Sequence, residues 1–405
     1  MVEFDTDVIV IGAGPAGASL AGYLRKAGAT ACVLEREVFP RFHIGESLLT
    51  MSIPRIASLG LDLAKAPYAK HKPGAYFHHD DSGENLRIDF SHALSGSFPY
   101  AYQVERQYFD HDLAECARAL GADVRYGVEV KGWSEDQRGV SVTGEFGSLR
   151  GRYMIDATGQ HAIFGRRRRT MDALDRFGQC ASFSTFGNVS SEFAQRHVGN
   201  GDITILLIDG GWVWLIPLPE GRVSVGVVEK SPKAGTTAED VLLGTLAQSP
   251  FLAPFFAGAE RIAPIRRITN YSYYNLEPNT ARCGTVGDAC AFLDPIFSSG
   301  VTVAIATAEL LAGEIVAALR GDRELRLDEY KRTCQKGYVT FDRLIERFYR
   351  PDWVRNVFFA SNREDRLVRE FTSILAGDVW RDDNGIQQML INARAPGRKL
   401  AGKSS

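Results

Sequence analysis

Cysteine is scarce and scattered in this chain. Its six cysteines (Cys32, Cys116, Cys180, Cys283, Cys290 and Cys334) form no Cys-x-x-Cys pair. That argues against a zinc site and a disulfide framework, and it fits reduced thiols in a cytoplasmic protein. The histidines offer no metal site either, because His78 and His79 are adjacent and face opposite sides of a strand. Net charge is nearly absent, at a formal −2, so the chain lacks the basic surplus of a dedicated nucleic-acid binder. The N-terminus has no cationic stretch and no cleavage site, and no targeting segment is expected. Long uninterrupted apolar runs are missing as well. The richest stretch, Gly300 to Leu319, is broken by Glu309 and Glu314 and suits a buried helix better than a membrane span. There is no internal repeat and no low-complexity tract.

What is present reads as a globular protein of ordinary composition. At 405 residues the chain is long for one core, and two or more packed subdomains are expected. Asp7-Val8-Ile9-Val10-Ile11 is a run suited to a parallel strand buried on both faces. A glycine-rich turn follows, then a helical pattern to Lys26, then a second apolar strand, Thr30 to Leu34, ending at Glu35: one βαβ unit. Tyr76 to Asp89 and Cys180 to Val228 alternate in short runs, as an antiparallel sheet covering a pocket would. Phe109 to Leu120 reads as helix, Tyr153-Met154-Ile155 as a short strand, and everything after Gly300 as helical, with long helices over Asp328–Tyr349 and through Phe358–Leu375. Arg166 to Arg169 reads as a solvated basic loop, and the end from Arg398 to Ser405 is expected to fray.

The turn Gly12-Ala13-Gly14-Pro15-Ala16-Gly17 sits where a dinucleotide site requires it, between a buried strand and a helix. Gly12 permits the tight turn, Gly14 lets the backbone approach a pyrophosphate, and Gly17 lets helix and strand pack closely. The helix N-terminus offers unpaired N–H groups to phosphates. Glu35 is placed to accept hydrogen bonds from a ribose diol, with Arg36 next to it.

Downstream, Gly284 to Ala289 and Asp294-Pro295-Ile296-Phe297-Ser298-Ser299-Gly300 resemble the second flavin motif of aromatic-hydroxylase-like flavoproteins. Asp156 to Gly159 and Val104 to Asp110 fit the same group. The resemblance implies FAD, with Asp288 on the ribityl chain, Arg106 near the phosphates, and Pro295, Gly300 and Val301 against the flavin. Pro40 to Leu49 resembles the segment beside the isoalloxazine in flavin-dependent halogenases, which brings in Arg41, Ile44, Gly45 and Ser47. Gly211-Trp212-Val213-Trp214-Leu215-Ile216-Pro217 contains the W-x-W-x-I-P motif of those halogenases, and His71-Lys72-Pro73-Gly74 resembles the segment carrying their essential lysine. The likeness spans Asp5 to about Leu319 and is strongest to the subgroup acting on phenols and pyrroles.

The fold this implies is α/β: a Rossmann-type FAD-binding domain (1–75, 99–175, 270–325) interleaved with an antiparallel substrate-covering sheet (76–98, 176–269), plus a C-terminal helical region (326–405). The implied chemistry uses FADH2 from a separate NAD(P)H flavin reductase, O2, and chloride or bromide. Hypohalous acid held at Lys72 then halogenates an electron-rich aromatic, free or carrier-tethered. Ser299 and Gly300, at a helix N-terminus, would offer N–H groups to the halide. Trp212, Trp214, Ile216, Pro217 and Phe297 would separate flavin from substrate. Lys72 would have to be desolvated, since burial lowers an ammonium pKa. The tryptophan-halogenase subgroup has a Glu near its substrate in the segment where this chain has Phe297, which favours a phenol over free tryptophan. A flavin aromatic monooxygenase, an isoprenoid double-bond reductase and a non-catalytic flavoprotein remain as alternatives on the same scaffold.

Overall fold

The computed structural model describes residues 3–178, 180–190, 199–360 and 364–393. The Arg398–Ser405 end lies outside them. The chain enters through β1 (Thr6–Ile11), α1 (Pro15–Lys26) and β2 (Ala31–Glu35). β1 pairs in parallel with β2 on one side and with Gly147–Asp156 on the other, which sets Ile11 level with Leu34 and Asp156. Both faces of β1 are buried in different company. Val8 and Val10 pack with α1, while Ile9 and Ile11 pack with Val140, Val142 and Phe164, as the twofold period of a strand demands. Each such side chain contributes roughly 1.5–3 kcal/mol. The strand Gly147–Asp156 changes partner along its length. It begins antiparallel to Val140–Gly144 and ends parallel to Cys283–Thr285, so the far downstream motif arrives one strand away from β1 in a seven-stranded sheet.

A second, eight-stranded sheet runs in the order Glu260–Arg261, Cys180–Gly187, Val223–Glu229, Gly211–Pro217, Ile203–Ile208, Gly74–His79, Asn85–Asp89, with Arg266–Thr269 also on Cys180–Gly187. Alternation divides it into two faces. Trp212, Trp214 and Ile216 point into the main core, and Val213 and Leu215 pack on Leu242 and Leu246 of the helix Ala238–Gln248. The cross-strand partner of Trp214 is Gly226, where a Cβ would lie 2.1 Å from the indole. The missing side chain is what lets the ring lie flat on the sheet.

Two long helices complete the frame. α2 (Ser299–Arg320) is apolar and long enough to cross a membrane by length and composition, yet most of it is buried against α1, with Glu309, Gly313 and Ala317 on its exposed face. α3 (Asp328–Phe348) packs on α2 and on Gly385–Asn392. Two expectations need correcting. The Arg166–Arg169 run is no loop: Ile163–Arg168 is helical, Arg167 lies 4.4 Å over the Trp133 ring and Arg168 pairs with Glu277 at 2.7 Å. Nor is Phe358–Leu375 one helix. Val354–Phe358 is a π-turn that folds Phe358 in against Phe348 and Phe371, and regular helix starts only at Asp365.

Candidate active site

A cavity of about 1100 Å³ opens between the C-terminal ends of β1 and β2, the N-terminus of α2 and the inner face of the second sheet. Its floor is the glycine turn. Gly12 has φ +103°, and a Cβ there would meet the Ala157 carbonyl oxygen at 2.5 Å; a Cβ on Gly17 would lie 1.9 Å from the Gly12 oxygen. Gly14, by contrast, borders the cavity and has only the Arg41 guanidinium within 4 Å. Pro15 and Ala16 also border it, and no side chain caps α1, so its first N–H groups face the space unclaimed. Gly17 lies behind the turn. Glu35 is buried and held in place, its two oxygens accepting from Ala13 N at 2.8 Å and Glu37 N at 2.9 Å. Beside it at the rim, Arg36 meets His161 at 2.6 Å.

Farther in, Arg106 forms a bidentate pair with Asp110 (2.7 and 3.0 Å) and donates to the Ile44 carbonyl at 2.8 Å, while Arg41 reaches the same carboxylate at 3.1 Å. Desolvation pushes Asp110 up, but the arginines outweigh it and hold its carboxyl below the usual range. Ile44, Gly45, Ser47, Asp288, Pro295, Ser299, Gly300 and Val301 all border the cavity. Burial pushes the Asp288 carboxyl up to about 6, against the pull of Arg106. This is a shape and donor set that fits FAD: an uncapped helix N-terminus behind a glycine turn for phosphates, a fixed carboxylate for a ribose, and arginines between.

The inner wall carries Trp212, Trp214 and Ile216, the two indoles 5.9 Å apart. Each tryptophan is tied through one hydroxyl to one buried carboxyl. Trp212 Nε1 donates to Tyr349 Oη (3.0 Å), which donates to Asp294 (2.7 Å); Trp214 Nε1 donates to Ser224 Oγ (3.3 Å), which donates to Glu46 (3.1 Å). Both carboxyls border the cavity, and burial lifts Glu46 to about 7 and Asp294 to about 6. Pro217 and Phe297, expected in this wall, do not border the cavity. Pro217 pairs with Val223 in the sheet, and Phe297 packs on Phe348 at 5.2 Å.

Lys72 ends the strand Ala69–Lys72, which pairs with Ala101–Val104. It is 1% exposed and sits outside the cavity lining. Its Nζ donates to Ser47 Oγ at 2.8 Å and to the Leu48 carbonyl at 2.7 Å, and lies 5.3 Å from the centre of the Phe90 ring. Burial drops its ammonium to about 7, with Asp202 pulling the other way. Nearby Lys65 is 84% exposed and Lys70 only half-buried, so full burial is particular to Lys72 in this stretch.

A family model described as an FAD binding domain matches residues 5–338. The 1H-pyrrole-2-carbonyl (peptidyl-carrier protein) chlorinase of Pseudomonas fluorescens is 30% identical, covering 94% of this chain and 91% of that protein. Among solved structures, the flavin-dependent brominase Bmp2 superposes with a TM-score of 0.84 at 26% identity, over 96% of this chain and 97% of that one. The chain belongs to the flavin-dependent halogenases. A flavoprotein/dehydrogenase from Cytophaga hutchinsonii shares the same fold, with a TM-score of 0.87 at 29% identity over 95% of this chain and 96% of that one.

Within this halogenase, the residues that sequence reasoning passed over are the ones that tie the indoles down. Tyr349, Ser224, Glu46 and Asp294 carry no local signature, and their partners lie far off in sequence. Glu46 and Asp294 stand inside the Pro40–Leu49 and Asp294–Gly300 segments, but nothing beside them in sequence marks either as the partner of an indole. Among the described residues no group of three or more His, Cys, Asp or Glu gathers as a metal site.

Proposed function

We propose that this halogenase takes FADH2 from a separate NAD(P)H flavin reductase and uses O2 with chloride or bromide to halogenate a phenol or pyrrole, with Lys72 as the residue that holds the oxidant. The single observation that carries the reading is a fully buried lysine whose Nζ is bonded to Ser47, a residue of the FAD cavity wall. When bound, reduced FAD supplies the electrons with which O2 oxidises the halide to hypohalous acid.

The chain's own groups do the rest. At a pKa of about 7 the lysine is near half amine at neutral pH. A neutral amine has two N–H bonds and one lone pair, and Ser47 Oγ and Leu48 O accept the two N–H bonds. The lone pair is thereby left for the halogen of hypohalous acid: an N–halogen bond forms, the O–halogen bond breaks, and an amine proton leaves with the hydroxide as water. The α2 N-terminus, with Ser299 and Gly300 at the cavity, offers the halide uncharged N–H donors. Trp212, Trp214 and Ile216 keep the aromatic substrate apart from the flavin. The carrier-bound pyrrole named for the Pseudomonas relative supports a tethered substrate here too.

The test is Lys72→Ala, supplied with FADH2, O2 and bromide and screened on phenols and pyrroles. Flavin oxidation continues and halogenated product falls by about 10²-fold or more. Product at the wild-type level would remove Lys72 from the mechanism.

A further inference from the structure

Lys72 and the cavity meet at one residue, Ser47. Lys72 itself does not border the cavity, whereas Ser47 borders it and accepts from Lys72 Nζ at 2.8 Å. The backbone fixes this meeting point. Ser47 bridges Gln103, Leu48 N donates to Tyr102 O at 3.0 Å, and Val104 N donates to Glu46 O at 2.7 Å, so residues 46–48 run as a third strand beside Ala101–Val104. On the other edge of that middle strand, Lys70 is opposite Gln103 and Lys72 is opposite Ala101. Paired residues share a face of a ladder, so Ser47, Gln103, Ala101 and Lys72 stand on one side of it. The residue opposite Lys72 is an alanine, buried and short, and the lysine reaches diagonally to Ser47.

We propose that Ser47 is the positioning residue that hands the oxidant from the flavin cavity to Lys72, an inference that rests on the role given to Lys72 above. Its oxygen accepts from the lysine, which leaves its own O–H; among the described residues no acceptor takes that proton. An O–H at the cavity wall with a lysine immediately behind it is arranged for a molecule such as hypohalous acid. The acid's oxygen accepts from Ser47 while its halogen faces the Lys72 nitrogen. As the O–halogen bond breaks, the departing oxygen remains hydrogen-bonded to Ser47 and takes up the amine proton, leaving as water. The serine is unchanged at the end. Without it, the oxidant meets no hydroxyl bonded to Lys72 and leaves through the mouth.

The experiment uses the FAD-loaded full chain, photoreduced and mixed with O2 and chloride, with taurine outside as a hypochlorous acid trap and no aromatic substrate. Chlorine on Lys72 is read from the mass of its peptide, and taurine chloramine from its absorbance, both per FAD reoxidised. In the wild type chlorine resides on Lys72, whereas in Ser47→Ala the Lys72 adduct falls about tenfold and taurine chloramine rises to match. Ser47→Thr, which keeps a hydroxyl, restores the wild-type partition, and it decides the matter where the alanine variant does not retain FAD. An undiminished Lys72 adduct in Ser47→Ala, or a tenfold loss in Ser47→Thr, overturns the role of Ser47 while leaving that of Lys72 intact. Absence of chlorine on Lys72 in the wild type overturns the lysine reading itself and this inference with it.

Discussion

The indole N–H of Trp212 donates to Tyr349 Oη at 3.0 Å across 137 residues of chain, and the phenol passes the bond on to Asp294. Tyr349 follows directly on α3, so the helical region at the C-terminal end of the described chain sets the edge of the cavity's inner wall. The donors all point one way, from indole to phenol to carboxylate, and the ionised form of Asp294 also accepts from Gly178 N and Ile296 N.

Tyr349→Phe keeps the ring and removes the link. The Trp212 N–H loses its acceptor and Asp294 loses a donor, so unfolding in urea should show a loss of about 1–3 kcal/mol. The carboxyl of Asp294, lifted to about 6 by burial and lowered by the Tyr349 bond, should rise further. Its infrared carboxyl band followed against pH checks the direction; an unmoved titration would mean that the phenol does not serve Asp294.

Lys72 should cost stability in a pH-dependent way. Its ammonium titrates near 10.5 in the unfolded chain and near 7 in the fold, with burial as the main cause. Between those values the unfolded state binds more protons, so this group's contribution improves as pH rises and is worst at and below about pH 7. Lys72→Met should therefore be more stable than the wild type at pH 7, by an amount on the order of a few kcal/mol. That gap should close toward pH 10. Denaturation midpoints of the two proteins across this range measure it, and a pH-independent gap would contradict the burial-driven shift.

The two neighbouring glycines of the turn should fail differently. Gly17→Ala forces a Cβ to 1.9 Å from the Gly12 oxygen and should unfold or badly distort the βαβ unit, visible in circular dichroism. Gly14→Ala meets only the Arg41 side chain at 3.7 Å, so the fold should survive. The added methyl faces the space for the pyrophosphate, and FAD retention on gel filtration should drop about tenfold or more. Equal retention in Gly14→Ala and the wild type would place the phosphates elsewhere.

Local pattern carried much of the architecture. The βαβ unit was legible because buried parallel strands and a glycine turn announce themselves within thirty residues. Lys72 stood out because Pro73-Gly74 follows it, although its bond to Ser47 could not be read from either segment alone. Arg166 to Arg169 misled because a charge run says nothing of Trp133 or Glu277, which arrive from separate strands and turns to hold it in a helix. Phe297 was expected in the wall for its place in a motif, but the aromatic cluster around Phe348 draws it away from the cavity. Tyr349, Ser224 and Glu46 were out of reach for the same reason: their roles exist only as pairs, and Ser224 and Glu46 are 178 residues apart.

The wall of the cavity draws on Gly12, in the first βα turn, and on Tyr338, in the middle of α3. During synthesis the βαβ unit emerges from the ribosome long before Asp288, Pro295 and the N-terminus of α2 exist. A nascent chain therefore has a phosphate turn with nothing opposite it. Cofactor loading thus waits on the synthesis of Asp288, Pro295 and the N-terminus of α2, which close the site the glycine turn begins.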